Sequence, residues 1–483
     1  MIVALALSIF PIAVAVCSLA VGSVNRLRMA AAIGGVGQAA ATLWVALPIL
    51  RGESRPTFLI WFQMDGMAAW MASVNSIVYG AAMASAALLT ANPHDLHLTS
   101  KGVRAMFGLT ALFIVAANAV VCAADLGALW VAMEATTLVT APIILLRGTR
   151  KSIEAAWKYL ILCGVGIAFA LLGTVLLLAA AGNGMQGGGS LGIAWLTAHA
   201  SSLKKSLLNA SFVFFLLGYG TKAGLFPVHN WLPDAHSEAP APASALLSGA
   251  LLNCAMVALW RIGGIVELSG SRTLLLGLLA PMGAASVLAA SLMLVRQQDL
   301  KRMWAYSSIE NMGLLAVAAG LRAAPIFALH ALAHSLAKSS AFLLSGNVLR
   351  AYGTVSLKKL SGVMRRFPGL GFALLAAGAA VMGAPPFASF VSEWLLLARA
   401  ADDRLWGIVI ALVAGLALSF VAVVIHLGRA IFGEKGERAE NPRYAGSILP
   451  AALLLAVSAA TFLAVTPATL EFLGKALQTG GRP

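Results

Sequence analysis

Long apolar stretches separated by short polar segments run along the whole chain. A helix of about 20 apolar residues crosses the hydrocarbon core of a bilayer, so each stretch is a candidate span. The stretches lie at about 1–22, 29–50, 65–90, 104–123, 126–146, 155–181, 209–228, 243–266, 273–295, 303–320, 326–349, 370–398, 405–428 and 447–466. This pattern predicts an all-α polytopic membrane protein with about fourteen transmembrane helices.

Two of these stretches contain helix breakers beside a charged residue. In the seventh, three glycines and Pro227 surround Lys222, and in the twelfth the glycine and prolines of residues 383–386 precede Glu393. Proline removes a backbone donor and frees a carbonyl, which is tolerated at membrane depth only inside protein or beside water. The sequence therefore predicts that helices 7 and 12 are broken.

Polar positions in the two halves recur at a nearly constant offset, which predicts two inverted five-helix repeats. The pairs are Lys222 and Glu393 (171 residues apart), Glu134 and Glu310 (176), and Asn253 and His426 (173). The predicted units are a three-helix segment at 1–95, repeats at 104–266 and 273–428, and a cytoplasmic loop with a C-terminal helix at 429–483.

Composition agrees with a membrane protein and excludes several kinds of site. The chain is 60% hydrophobic and 11% charged, with a mean hydropathy of +0.89. Its four cysteines are scattered without a CxxC pair, which excludes the usual cysteine-ligated zinc and iron–sulfur motifs. No P-loop or metal-ligand spacing is present. We therefore expect no cofactor or metal in this chain and no catalytic residue.

The distribution of basic residues explains the net charge of +15 by membrane topology rather than by a nucleic-acid-binding site. Twenty basic residues follow odd-numbered stretches and eleven follow even-numbered ones. By the positive-inside rule, the odd loops face the cytoplasm and both termini face outward. The first stretch has no Lys or Arg before it, so we expect a retained span rather than a signal peptide.

Four ionisable residues lie deep inside apolar stretches: Glu134, Lys222, Lys338 and Glu393. Each costs roughly 2.5–3.5 kcal/mol or more at a bilayer centre, which favours a functional role. On the eleventh stretch, His330, His334 and Lys338 recur every four residues and form one stripe on a helix. Histidine exchanges protons near neutral pH, so the stripe is typical of a proton relay. The alternative is a set of hydrogen-bonded structural residues.

Glu134 has no acid or base within one helical turn, so its partner must come from another helix. If that partner is Lys222, a change in their separation would load and release one proton. The alternative is a static ion pair that locks two helices. Glu310 supports the proton hypothesis, whereas Asp65, Asp125 and Asp299 lie nearer the ends of spans and stay undecided.

Several segments resemble the antiporter-like subunits of respiratory complex I, Mrp-type antiporters and membrane-bound hydrogenases. They are YGTKAGLFP at 219–227, HNWLPDAHSEAP at 229–240, DLKR at 299–302, AYSS at 305–308 and the segment from His334 to Lys338. Within this family, the segments at 234–240, 248–254 and 307–313 resemble hydrogenase-4 component F most. One departure is Asn253, where many complex I relatives carry a lysine that holds a charge.

The resemblance implies a fourteen-helix fold and a proton path through Glu134, Lys222, Lys338 with His330 and His334, and Glu393. Further relay candidates are Asn253, Glu310, His426, His229, Asp234 and His236. It also implies that redox chemistry belongs to partner subunits, which would carry Fe–S clusters and, in a hydrogenase, NiFe. The expected partners are other integral membrane subunits and a peripheral redox arm in a bacterial inner membrane.

Three functions remain open at this stage. The first is a proton-translocating subunit of a hydrogenase-4-type or complex I-like pump, and the second is a subunit of a Mrp-type Na⁺/H⁺ antiporter or another ion-coupled uptake system. The third is a structural membrane subunit whose charges only hold helices together. The chain would be part of an enzyme, an oxidoreductase complex, only if the first function is correct.

Overall fold

A computed structural model describes residues 1–53, 57–90, 98–182, 191–434 and 447–477. Five basic residues counted for the topology, Arg55, Lys435, Arg438, Arg443 and Arg482, lie outside these ranges. The helices are α1 (Ile2–Ala20), α2 (Val24–Leu50), α3 (Gly66–Leu89), α4 (Ser100–Cys122), α5 (Leu126–Leu145), α6 (Arg150–Ala181), α7 (Ile193–Ala198), α8 (Lys205–Ala223), α9 (Trp231–Glu238), α10 (Ala241–Leu246), α11 (Leu252–Leu268), α12 (Arg272–Leu294), α13 (Leu300–Gly320), α14 (Ala324–Tyr352), α15 (Val363–Arg366), α16 (Pro368–Val381), α17 (Ala388–Asp402), α18 (Trp406–Phe432), α19 (Leu449–Ala464) and α20 (Pro467–Leu477). A short hairpin pairs β1 (Thr57–Leu59) antiparallel to β2 (Phe62–Gln63).

The chain is an all-helical multi-pass membrane protein. In the described ranges, ten helical spans are long and apolar enough to cross a bilayer, and an eleventh is the bent pair α19 and α20. One of the ten runs from Ala241 to Leu268 and joins α10 to α11 through a π-helical turn at Leu247–Leu251.

Three aspartates close to span ends begin helices. Asp65, Asp125 and Asp299 are the N-caps of α3, α5 and α13, and each accepts hydrogen bonds from backbone amides of the first turn. Such caps satisfy amide donors that have no partner inside the helix. Asp65 also forms an ion pair with Arg261 of α11, with nitrogen–oxygen distances of 2.9 and 3.1 Å. These carboxylates therefore have structural partners.

Glycines allow three pairs of helices to approach backbone to backbone. The closest positions are Gly35 and Gly80 for α2 and α3, Gly166 and Gly218 for α6 and α8, and Gly283 and Gly313 for α12 and α13. A Cβ atom built on Gly313 would lie 2.5 Å from the carbonyl oxygen of Gly283. The hydrophobic effect does not bring helices together in lipid. Close van der Waals packing at small residues stabilises such crossings instead.

The predicted interruptions lie between α8 and α9 and between α16 and α17. Each begins at a glycine with positive φ, Gly224 at +74° and Gly383 at +65°, and each contains a cis peptide bond before proline. Lys222 lies two residues before the first of these glycines, and Glu393 lies ten residues after the second. The charged residues thus occupy opposite sides of the two breaks.

Candidate functional site

Lys222 lies in the last turn of α8 and is fully buried. Its Nζ donates a hydrogen bond to the Tyr159 hydroxyl of α6 at 2.9 Å and lies 4.9 Å from the centre of that ring. The Tyr159 hydroxyl is in turn 2.6 Å from Thr140 Oγ1 on α5. A lysine, a phenol and a threonine hydroxyl from three helices therefore form one hydrogen-bonded group.

Glu134 is half-buried on α5 and accepts a hydrogen bond from Thr137 Oγ1 at 3.0 Å. It interacts electrostatically with Lys222, but no ion pair joins the two side chains among the described residues. Its neighbours one turn away, Val131 and Leu138, are 59% and 62% exposed. Glu134 therefore lies at the edge of an open face of α5, and threonine and tyrosine hydroxyls separate it from Lys222.

The break after Lys222 is held by a buried tryptophan. Trp231 Nε1 donates to the Thr221 carbonyl at 2.7 Å, and its ring packs on Tyr159 with centroids 5.0 Å apart. The amide of Phe226 donates to Ser286 Oγ at 2.9 Å. Polar groups that a continuous helix would have paired are thus satisfied by side chains. The same ring that supports Tyr159 also fixes the end of the helix that carries Lys222.

The three residues of the α14 stripe are buried and contact three different elements. His330 Nδ1 lies 2.9 Å from Ser392 Oγ of α17, and His334 Nε2 lies 3.2 Å from the Ser248 carbonyl in the π-helical turn. Lys338 Nζ donates to Ser307 Oγ of α13. Because a carbonyl only accepts, the His334 Nε2 atom must carry the proton in this contact.

Two acidic side chains interact electrostatically with Lys338: Glu310 of α13 and Glu393 of α17. Glu310 is 2% exposed and accepts a hydrogen bond from Ser419 Oγ of α18 at 2.5 Å. Glu393 is also buried, and its carboxylate lies against Gly383, where a Cβ atom would collide with it. The broken helix therefore presents an acid to the same region as Lys338.

Asn253 connects α11 with α14 beside the histidine stripe. Its Nδ2 donates to Ser335 Oγ at 2.7 Å and to the Ala331 carbonyl at 3.2 Å. Its Oδ1 atom has no hydrogen-bond partner in the described ranges, and the same holds for Nδ1 of His334 and Nε2 of His330. Buried polar atoms without partners are rare. Here three of them belong to two histidines of α14 and to the α11 asparagine that contacts this helix.

Four further predicted relay residues have other partners, although one of them, His236, also interacts electrostatically with His334. Asp234 is paired with Lys158 at 3.1 Å and Arg302 at 2.5 Å beside a surface cavity of about 350 Å³. His426 Nε2 lies 3.2 Å from the Leu294 and Val295 carbonyls. The other two are buried against rings, His229 against Phe226 and His236 against Phe342. Within the described ranges, no hydrogen bond joins the side chains of these four residues to Lys222 or Lys338, so their role as relays stays a prediction.

The hydroxyls beside the lysines were not predicted from the sequence. Tyr159, Thr140, Thr137 and Ser307 are common residues in apolar helices, and only the packing shows which of them face a charge. Lys301 was not predicted as a site residue either, but it is 1% exposed and donates to the carbonyls of Ser237 and Ala239 at the end of α9. The DLKR segment at 299–302 was the available signal for it.

Fold and site together define a multi-pass helical membrane protein with acids, bases and hydroxyls buried around two interrupted helices. Residues 123–419 match the family described as NADH:quinone oxidoreductase/Mrp antiporter, TM. The chain belongs to this family, which confirms the predicted resemblance.

The similar proteins include a hydrogenase component and a quinone oxidoreductase subunit. A hydrogenase-4 component F homolog of Methylacidiphilum infernorum is 41% identical over 344 residues, which are 70% of this chain and 72% of that protein. NADH-quinone oxidoreductase subunit N of Desulforudis audaxviator is 33% identical over 399 residues, 79% of this chain and 77% of that protein. The chain is therefore an antiporter-like membrane subunit of the kind found in hydrogenase, complex I and Mrp assemblies.

Solved structures of large membrane complexes contain the same fold. A chain of respiratory complex I from Thermus thermophilus superposes with a TM-score of 0.77 at 25% identity, covering 99% of this chain and 98% of that one. A chain of the archaeal membrane-bound sulfane sulfur reductase has a TM-score of 0.84 at 24% identity, covering 98% and 96%.

Proposed function

We propose that this chain is a proton-translocating subunit of a redox-driven membrane complex, of the hydrogenase-4 type or complex I-like. The observation that carries the proposal is the set of buried acids, bases and hydroxyls gathered from α5, α6, α8, α13, α14 and α17. Charged side chains inside a membrane bundle are expensive and mark ion pathways. Hydroxyls beside them can pass a proton because each one both donates and accepts.

Protons would travel in two segments. The first contains Glu134, the hydroxyls of Thr137, Thr140 and Tyr159, and Lys222, supported by the hydrogen bonds among them. The second contains His334, His330, Lys338, Glu310 and Glu393, supported by their burial in one region and by the interaction of Lys338 with both acids.

The two segments would be joined at Asn253 and the π-helical turn. The Ser248 carbonyl of this turn already contacts His334, and Asn253 contacts Ser335 next to it. An amide cannot hold a charge, so transfer past Asn253 would use the unpaired atoms there with a bridging water. π-Helical turns are frequent at functional sites, which agrees with this position.

We also propose fourteen spans arranged with two inverted repeats, 104–266 and 273–428. In this arrangement α8 with α9 and α16 with α17 are broken spans, and both termini face outward. Support comes from Asp125 and Asp299, which cap α5 and α13, each form an isolated β-bridge, and are 174 residues apart. This offset falls within the 171–176 range of the polar pairs.

The open face of α5 favours the hypothesis that the chain works as a subunit of an assembly over the hypothesis that it works alone. A carboxylate at the edge of an exposed apolar face is costly in lipid. A neighbouring membrane subunit packed over Val131 and Leu138 would remove that cost and bring a polar partner to Glu134. Electron transfer would belong to other subunits with Fe–S clusters, with NiFe in a hydrogenase, on a peripheral arm.

Proton flux through the reconstituted complex tests the proposal. In proteoliposomes, a potassium diffusion potential should drive proton uptake, which a pH-sensitive dye reports. Lys222→Ala and Glu134→Gln should each abolish uptake while the other subunits still co-purify. The exposed pair Lys475 and Glu471 supplies matched controls, Lys475→Ala and Glu471→Gln, which should leave uptake unchanged.

The same measurement separates the alternatives. Undiminished uptake in both pathway variants would refute the pathway, and loss of co-purification with intact uptake would favour a purely structural role for these charges. The family includes Mrp antiporters, so sodium is tested as well. Uptake that requires sodium inside the vesicles would favour the Na⁺/H⁺ antiporter.

A further inference from the structure

A basic cleft lies at the end of the bundle where α12 and α18 finish. It has a volume of about 640 Å³ and is lined by the segment after α12, the loop before α15 and the last turns of α18. Its cationic side chains are Arg296, Lys358 and Arg429, and among the described lining residues none is acidic. This cleft is separate from the buried lysines and acids of the proposed pathway.

Among the described residues, no acidic side chain is paired with the three cations. All three are exposed, and within the described ranges none of them has an ion pair or a side-chain hydrogen bond. Like charges that line one concave surface repel each other and focus a positive potential there. The cleft therefore favours an anion with several oxygen acceptors, because Arg and Lys together can contact more than one oxygen.

His426 reduces the repulsion between an anion and one wall of the cleft. Its Nε2 donates to the Leu294 and Val295 carbonyls at the end of α12. Unpaired carbonyls at a helix C-terminus carry partial negative charge and would repel an anion. The imidazole occupies two of them and so reduces that repulsion.

Exposed apolar side chains also lie near the cations, on α12 and α18. Leu292 and Val295 on the α12 side are 64% and 45% exposed, and on α18 Val424, Ile425 and Phe432 are 43%, 45% and 56% exposed. In a membrane-spanning bundle, such surfaces contact acyl chains. Cations beside apolar faces of this kind match a ligand that is anionic at one end and apolar at the other.

We propose that this cleft is a binding site for the headgroup of an anionic phospholipid. Its phosphate oxygens accept hydrogen bonds from Arg296, Lys358 and Arg429, and its acyl chains lie along the exposed faces of α12 and α18. The chemistry that the cleft recognises is a phosphate group. The exposed apolar faces of α12 and α18 favour a lipid over inorganic phosphate as the source of this group.

Native mass spectrometry of the purified full-length chain in detergent tests the site, with phosphatidylglycerol and phosphatidylethanolamine as probes. Phosphatidylglycerol should be retained more tightly. Neutralising one cation should weaken its binding about fivefold, and the triple variant Arg296→Gln, Lys358→Gln and Arg429→Gln about a hundredfold. The double variant Arg296→Lys with Arg429→Lys should keep most of the binding.

A matched control neutralises three exposed cations outside the cleft, by Arg26→Gln, Lys101→Gln and Arg150→Gln. Unchanged phosphatidylglycerol binding there, together with an unchanged melting temperature of both triple variants, supports a specific site. Equal binding of the two lipids, or equal losses in both triple variants, overturns it. Displacement of the lipid by millimolar inorganic phosphate would assign the cleft to the free ion. Cross-linking of Lys358 to another subunit in the intact complex would assign it to a protein partner.

Discussion

At the scale of single residues, Tyr159 gives the buried lysine of α8 its hydrogen-bond partner. The Lys222 Nζ atom donates to its hydroxyl, which is itself paired with Thr140, while Trp231 supports the ring. A lysine without such a partner at this depth would have to find another acceptor or lose its charge. Tyr159 is therefore part of the environment that keeps Lys222 able to exchange a proton.

Tyr159→Phe should lower proton uptake by the reconstituted complex at least about tenfold, because a hydrogen bond to a charged group is worth about 1.5–3 kcal/mol. Tyr79→Phe is the matched control, since Tyr79 is equally buried and its hydroxyl has no partner in the described ranges. Uptake should be measured with both complexes at the same density in the vesicles. A loss of the same size in the two variants would show that the phenol of Tyr159 has no special role.

At the scale of elements, the break between α16 and α17 positions Glu393. Gly383 adopts a φ of +65°, a conformation that glycine reaches without strain, and the Glu393 carboxylate occupies the space a side chain would take. The glycine therefore does two things at once: it turns the chain and makes room for the acid.

Gly383→Ala should reduce proton uptake strongly and lower stability by roughly 1 kcal/mol or more, because it adds backbone strain and displaces the carboxylate. Gly407→Ala provides the comparison, because Gly407 is helical and a Cβ atom there meets nothing within 4 Å. Thermal unfolding in detergent and dye-reported uptake measure the two effects. Wild-type uptake in the Gly383 variant would mean that Glu393 tolerates displacement.

The long helices and their interruptions were largely predictable from the sequence. Apolar length predicted most of the long helices to within about five residues, for example 65–90 against Gly66–Leu89, but not the short helices α7, α9, α15 and α20. The Gly and Pro runs predicted both interruptions. The partners of the charged residues were not predictable. Tyr159 lies 63 residues from Lys222 in sequence, and hydroxyl residues occur in many of the helices. Which of them faces a lysine depends on helix rotation and crossing, which periodicity alone does not determine.

At the scale of the whole molecule, an ion pair ties together helices from distant parts of the chain. Arg261 of α11 contacts Asp65 of α3 through two nitrogens and the Val121 carbonyl at 2.8 Å, so α3, α4 and α11 meet at one guanidinium. Both side chains of the pair are mostly covered. Removing one partner therefore leaves the other charge poorly solvated.

Arg261→Met should destabilise the folded protein by about 3 kcal/mol, which scanning fluorimetry in detergent would report as a clear drop in melting temperature. Arg399→Met, which breaks an exposed pair with Asp403 on α17, should produce no comparable drop because solvent screens that pair. Equal melting temperatures for the two variants would contradict a stabilising role for the Asp65–Arg261 contact.

The close crossing of α6 and α8 at Gly166 and Gly218 limits how this molecule can work. Gly218 lies one helical turn, about 6 Å, from Lys222 along α8. Because a Cβ atom has no room between the two backbones there, we expect α8 to stay packed on α6 and the Cα atoms of Tyr159 and Lys222 to keep their relation. Any change in the distance between Lys222 and its acceptors must then come from rotation about side-chain bonds. Collective helix movements, by contrast, need microseconds to milliseconds. The first proton step in this half is therefore expected to be a swing of the ammonium within a rigid frame, and slower rearrangements would belong to the interrupted helices.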